Sequence, residues 1–68
     1  MGIMEAALNE AIAVAGSQNK LAKGIGVSQA LVWYWVHKRG GRVSAEKALD
    51  IERMTGVSRS RLRPDLFG

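Results

Sequence analysis

The chain holds little material for covalent chemistry. It has no cysteine and one histidine, His37, so neither disulfides nor a thiolate metal site can form, and no His-rich catalytic or zinc constellation is possible. No glycine-rich phosphate loop follows a strand-like run. The missing nucleophile–base set argues against an enzyme, and nothing calls for a cofactor. The chemistry on offer is non-covalent recognition. Residues 27–40, VSQALVWYWVHKRG, set Trp33, Tyr34 and Trp35 in a row and follow them with Lys38 and Arg39. On a helix neighbouring residues stand 100° apart, so these three rings cannot all face one core and at least one points outward.

Charge placement sharpens the question. The 68 residues carry a net charge of +4. Residues 1–19 hold Glu5 and Glu10 and no base, whereas residues 20–47 hold Lys20, Lys23, Lys38, Arg39, Arg42 and Lys47 against Glu46 alone; the remainder nearly balances. A basic middle segment in so small a domain fits a polyanion partner, and on charge alone a solvated face fits equally well. No apolar run approaches the length needed to cross a bilayer, and the N-terminus lacks the features of a secretory signal. The sequence therefore reads as a cytoplasmic protein with no membrane partner.

The elements that must position these side chains are helical. In residues 3–15 Met4, Leu8, Ala11, Ile12 and Ala15 recur at three- and four-residue intervals, and Gly16 supplies a helix stop. Ser17 starts a second helix with Leu21, Ala22 and Ile25 on one face, ended by Gly26. The next three starts share a device. Val27-Ser28, Val43-Ser44 and Val57-Ser58 each place a serine at the N-cap behind a valine, with Val32, Ala48 and Leu62 at the fourth helical position as staple partners. These starts predict helices over about 28–37 and 44–55, and a short one around 59–62 that Pro64 keeps from continuing. The expected fold is all-α, one five-helix domain spanning residues 1–68.

The order from Ser17 to His37 is that of a helix-turn-helix. Ala22 is small enough for the third helix to cross the second closely, and Gly26 takes the turn without a Cβ penalty. With Val32 taken as the inward direction, Trp35 and Val36 lie within about 60° of it and belong to the core, while Ala30, Trp33, Tyr34 and His37 gather on the far side.

From Gly16 to Phe67 the chain resembles the small Cro-type repressors of phages and prophages, and especially the YdaS-like antitoxin or Cro group. The resemblance is carried by SQNKLAKGIGVSQALVWYWV, by the basic turn and following helix HKRGGRVSAEKALDIERMTGVS, and by the end LRPDLFG. It implies a transcriptional regulator, a repressor, that binds double-stranded DNA with its third helix in the major groove. The chain departs from the group at Trp33 and Tyr34, where typical members hold a small polar residue and a basic or polar one.

Carried over residue by residue, the resemblance makes Ser17 and Gln18 phosphate contacts at the positive end of the second helix. It makes Gln29 a base reader whose amide suits adenine. Ser28 reads as an N-cap, as a DNA contact, or as both. Ala30 admits a thymine methyl or is simply a good helix former. Trp33 and Tyr34 either touch DNA or pack against the fourth helix, the tail or a second subunit. His37 reads as a cation at the helix end. Lys38, Arg39 and Arg42 straddle the DNA backbone or form a solvated loop. Arg59, Arg61 and Arg63 fall outside the site, with Arg63 free to pair with Asp65 on the surface.

The partners this implies are a pseudo-palindromic duplex operator and a second copy, in a dimer weak in solution. Val43, Leu66 and Phe67 are the candidate apolar contacts between copies. Two alternatives stay open: an antitoxin that also binds a toxin protein, and a protein–protein module that keeps the helix-turn-helix shape.

Overall fold

The structure, a computed structural model, describes residues 2–68. Its elements are α1 (Ile3–Ala15), α2 (Gln18–Ile25), α3 (Gln29–Lys38), α4 (Ala45–Thr55), α5 (Arg59–Leu62) and α6 (Pro64–Phe67). Among the described residues there is no strand. The expected five helices are present, and a sixth follows. Pro64 does stop α5, but it also occupies the first position of a new helical turn, where its fixed φ and missing N–H cost nothing.

Serine caps set the starts. The Oγ atoms of Ser17, Ser28 and Ser44 accept from the backbone N–H three residues on, at 3.1, 3.2 and 3.3 Å, and Ser58 Oγ accepts from Ser60 N at 3.1 Å. Each satisfies a donor that the first helical turn leaves orphaned. Behind three of these caps the valines act as anchors: Val43 and Val57 are buried with Ala48 and Leu62, and Val27 is half-buried above a fully buried Val32.

The core joins Leu8 and Ala11 of α1, Leu21, Ala22 and Ile25 of α2, Val32 and Trp35 of α3, Ala48 and Ile51 of α4, and Leu62 of α5. On α1 the stripe is narrower than its periodicity suggests. Ala7 joins Leu8 and Ala11 in full burial, while Met4, Ile12 and Ala15 are half-buried. Burying a Leu, Ile or Val side chain contributes about 1.5–3 kcal/mol, so a chain of this length depends on every one of these contacts.

Two expectations about the tail are corrected. Val43 is not spare apolar surface: it is 1% exposed and part of the core. Arg63 does pair with Asp65, but it does so as a buried residue, 8% exposed. Its Nη1 donates to the Val43 carbonyl at 2.8 Å while Nε and Nη2 fork onto the Asp65 carboxylate at 2.9 and 2.7 Å. The connector entering α4 and the turn entering α6 are thus tied together by one guanidinium.

Candidate nucleic-acid interface

The pair α2–α3 carries the candidate site, and its geometry follows from the turn between them. Gly26 sits at φ 76° in the left-handed region and donates its N–H to the Ala22 carbonyl, a helix ending that glycine adopts without penalty. Ala22 is buried at the crossing. At the other end of α2, Ser17 caps Lys20 N, and Ser17 and Gln18 are half-buried at the helix N-terminus.

On α3 the faces separate as the 100° step requires. Val32 and Trp35 are buried and Val36 half-buried, whereas Gln29, Ala30, Trp33, Tyr34, His37 and Lys38 are all exposed. Trp33 and Tyr34 keep 45% and 44% of their surface in solvent. Within the chain Trp33 packs on its own helix: its ring lies 4.4 Å from that of His37, tilted by 33°. His37 therefore meets an aromatic neighbour as well as the helix end. Ser28 is exposed and caps Leu31 N. Leu31, 36% exposed, lies at the edge of the outward face. On the helical wheel Leu31 falls between Lys38 and the buried Trp35, at the border of the outward face, a position that gives no clear signal from sequence.

The basic turn is anchored rather than loose. Lys38 is the last residue of α3 and Arg39 its C-cap, after which Gly40 and Gly41 take φ 58° and 86°. Gly41 N donates to the Trp35 carbonyl at 2.7 Å and Arg42 N to the Arg39 carbonyl at 3.1 Å. A Cβ at Gly41 would lie 2.4 Å from Glu5 Cα, so the turn rests against the backbone at the start of α1.

The ten cations divide by position. From Arg42 onward each one has a carboxylate at 2.7–3.9 Å: Arg42 and Arg63 with Asp65, Lys47 and Arg53 with Asp50, Arg59 with Glu52, Arg61 with Glu10. Lys47 also donates to the Ile25 carbonyl at 3.2 Å, closing the end of α2. Lys20, Lys23, Lys38 and Arg39 have no such partner among the described residues. All four lie on α2, on α3 or at the α3 C-cap. The hydrogen bonds and charge of Arg61 hold the Glu10 carboxyl below its ordinary range, and those of Arg63 do the same for Asp65.

The structure thus leaves Gln29, Ala30, Trp33, Tyr34, Lys38 and Arg39 all exposed to solvent, with the two cations unpaired. Arg42 is drawn toward Asp65 at 3.7 Å. Lys20 and Lys23 entered the sequence reading only as charge; what marks them is the absence of an acid within reach, which three-dimensional placement decides. Among the described residues no group of acids and histidine could hold a metal ion, and no helix is long and apolar enough to cross a membrane.

Residues 8–68 match the family described as bacterial toxin YdaS. The chain belongs to the YdaS family. Its YdaS-type helices also superpose on a solved structure, the Cro protein of the prophage element Xfaso 1 in Xylella fastidiosa strain Ann-1, with a TM-score of 0.82. That protein is 44% identical, over 91% of this chain and 95% of its own. No protein with a curated description matches. The YdaS-family match and the Cro structure together bear out the resemblance to prophage Cro-type proteins. Where the sequence resemblance implied an antitoxin or a Cro protein, the family description names a toxin and the solved structure a Cro.

Proposed function

We propose that this chain is a Cro-type prophage regulator that binds duplex DNA sequence-specifically and represses transcription, with α3 in the major groove. The observation that carries this reading is the exposed face of α3 together with the four unpaired cations, all on α2, on α3 or at its C-cap. Unpaired cations are the ones that can replace counterions along a phosphate backbone. Similarity to a Cro protein at 44% identity supports the same reading.

In this arrangement Ser17, Gln18 and the N-terminal end of α2 meet one phosphate run, while Lys38 and Arg39 meet the other. Gln29, Ala30, Trp33 and Tyr34 face the base edges, with Ser28 capping the helix beside them. Arg42 joins when a phosphate replaces Asp65 as its partner. One α3 covers only a few base pairs, so two copies on half-sites about 34–36 Å apart complete the operator. With Val43 buried and Phe67 half-buried against the core, Leu66, 53% exposed, is the one of the three candidate contacts left free for a weak dimer.

Selection of bound duplexes from a random pool tests the reading, followed by salt titration on the selected site. Arg39→Ala should weaken binding to all duplexes alike and lower the salt slope by about one. An unchanged slope removes Arg39 from the interface, and failure to select any duplex contradicts DNA binding.

A second reading, an antitoxin that also binds a toxin protein, has two observations behind it: the family description carries the word toxin, and the exposed Leu66 would suit a protein partner. Co-purification with the product of an adjacent gene distinguishes this from DNA binding alone.

A further inference from the structure

We infer that the centre of each half-site is A·T-rich and is read chiefly through thymine methyl groups. This rests on the DNA reading above and specifies its ligand. Base edges are contacted by the N-terminal part of a recognition helix, here Gln29 to Tyr34. Along that stretch the exposed side chains are Gln29, Ala30, Leu31, Trp33 and Tyr34. None is charged. Guanine is recognised by paired donors from Arg or Lys to O6 and N7, and the cations of this segment come only at Lys38 and Arg39, the last helical residue and its cap.

What the face does present is apolar surface and one adenine-reading amide. Ala30, Leu31, Trp33 and Tyr34 remain in water in the free protein, so a methyl group seated against any one of them removes apolar area on both sides. Thymine is the base that carries a methyl in the major groove, and adenine is the base that Gln29 can bind through two bonds. The Trp33 ring is already held against His37 at 4.4 Å, so less side-chain freedom is lost when it is covered. Cations at the far end of α3 place any guanine contact at the edge of the half-site.

Replacing thymine with deoxyuridine removes the methyl and nothing else. On the duplex selected from the random pool, with affinity measured at fixed salt, single replacements at the central thymines should weaken binding about fourfold each, the value of one buried methyl. Two together should give about fifteenfold. In the Leu31→Ala/Trp33→Ala double variant, whose helix content is checked by circular dichroism, at least half of that penalty should vanish. A selected half-site with a G·C centre, indifference to uracil, or a penalty unchanged in the double variant would each overturn the inference while leaving salt-dependent DNA binding intact. If no duplex is bound at all, the DNA reading fails and this inference with it.

Discussion

Arg63 donates to the Val43 carbonyl at 2.8 Å, joining the tail to the connector that leads out of the basic turn. That carbonyl lies in the core and the guanidinium is almost wholly covered. The bond therefore ties the tail to the connector between α3 and α4. Replacing Arg63 with Ala leaves a buried acceptor unpaired and should cost ~2 kcal/mol. Lysine should restore only part of this, because an ammonium cannot make the fork onto Asp65. Urea denaturation reads the effect, and an unchanged midpoint for Arg63→Ala would contradict it.

Acid should loosen the same region. Hydrogen bonds from Arg63 hold the Asp65 carboxyl below its ordinary range, and those from Arg61 do so for Glu10. A carboxyl with a depressed folded pKa contributes stability that is complete above its unfolded value and is lost as pH falls through the folded one. The melting temperature should hold steady down to about pH 5 and fall below about pH 4. Both acids are solvent-exposed, so the fall is modest, and it should be smaller in Glu10→Gln. A melting temperature that stays level throughout the acid range in the wild-type chain would remove these pairs from the stability of the fold.

The two tryptophans should separate cleanly. Trp35 is buried in the hydrophobic core, and Trp33 is half-exposed. Truncating a buried aromatic costs about 3–5 kcal/mol, comparable to the whole stability of so short a chain, so Trp35→Ala should be largely unfolded. Trp33→Ala should lose only its stack on His37 and keep its helix content. Equal losses of thermal stability would show that the two faces of α3 are assigned wrongly.

Adjacent glycines of the basic turn should also differ. Both have positive φ, but a Cβ at Gly40 meets nothing within 4 Å, while one at Gly41 collides with the backbone at Glu5. Gly40→Ala should cost about 1–2 kcal/mol for the left-handed conformation alone. Gly41→Ala should cost clearly more, because the turn must leave α1. Denaturation midpoints in the reverse order would contradict the anchoring of the turn.

What could be read from sequence was local. A serine cap, a glycine stop and the 100° step depend on residues within one turn of each other, so α1 to α5 and the division between Trp35 and the Trp33/Tyr34 face were legible. The turn at Pro64 was not, because proline stops one helix and starts another with equal ease. Arg63 was misplaced for a different reason, whereas Val43 did carry a local mark of burial, its place behind the Ser44 cap, at odds with its use as a contact between copies. The burial of Arg63 goes with a contact spanning 20 residues of chain, for which arginine carries no local mark. The same holds for Lys20 and Lys23, which stand out only once the other cations are seen beside their acids.

The most direct test of α3 as the DNA-reading element is an amide chemical-shift titration of the labelled protein with its selected duplex. The largest changes should fall on Gln29 to Arg39, with a second group at Ser17 to Lys20 and a third at Gly40 to Arg42. The α1 and α5 amides should move little. Shifts concentrated on α1, α5 or the tail, with α3 unperturbed at saturation, would contradict the placement of the DNA interface on this helix.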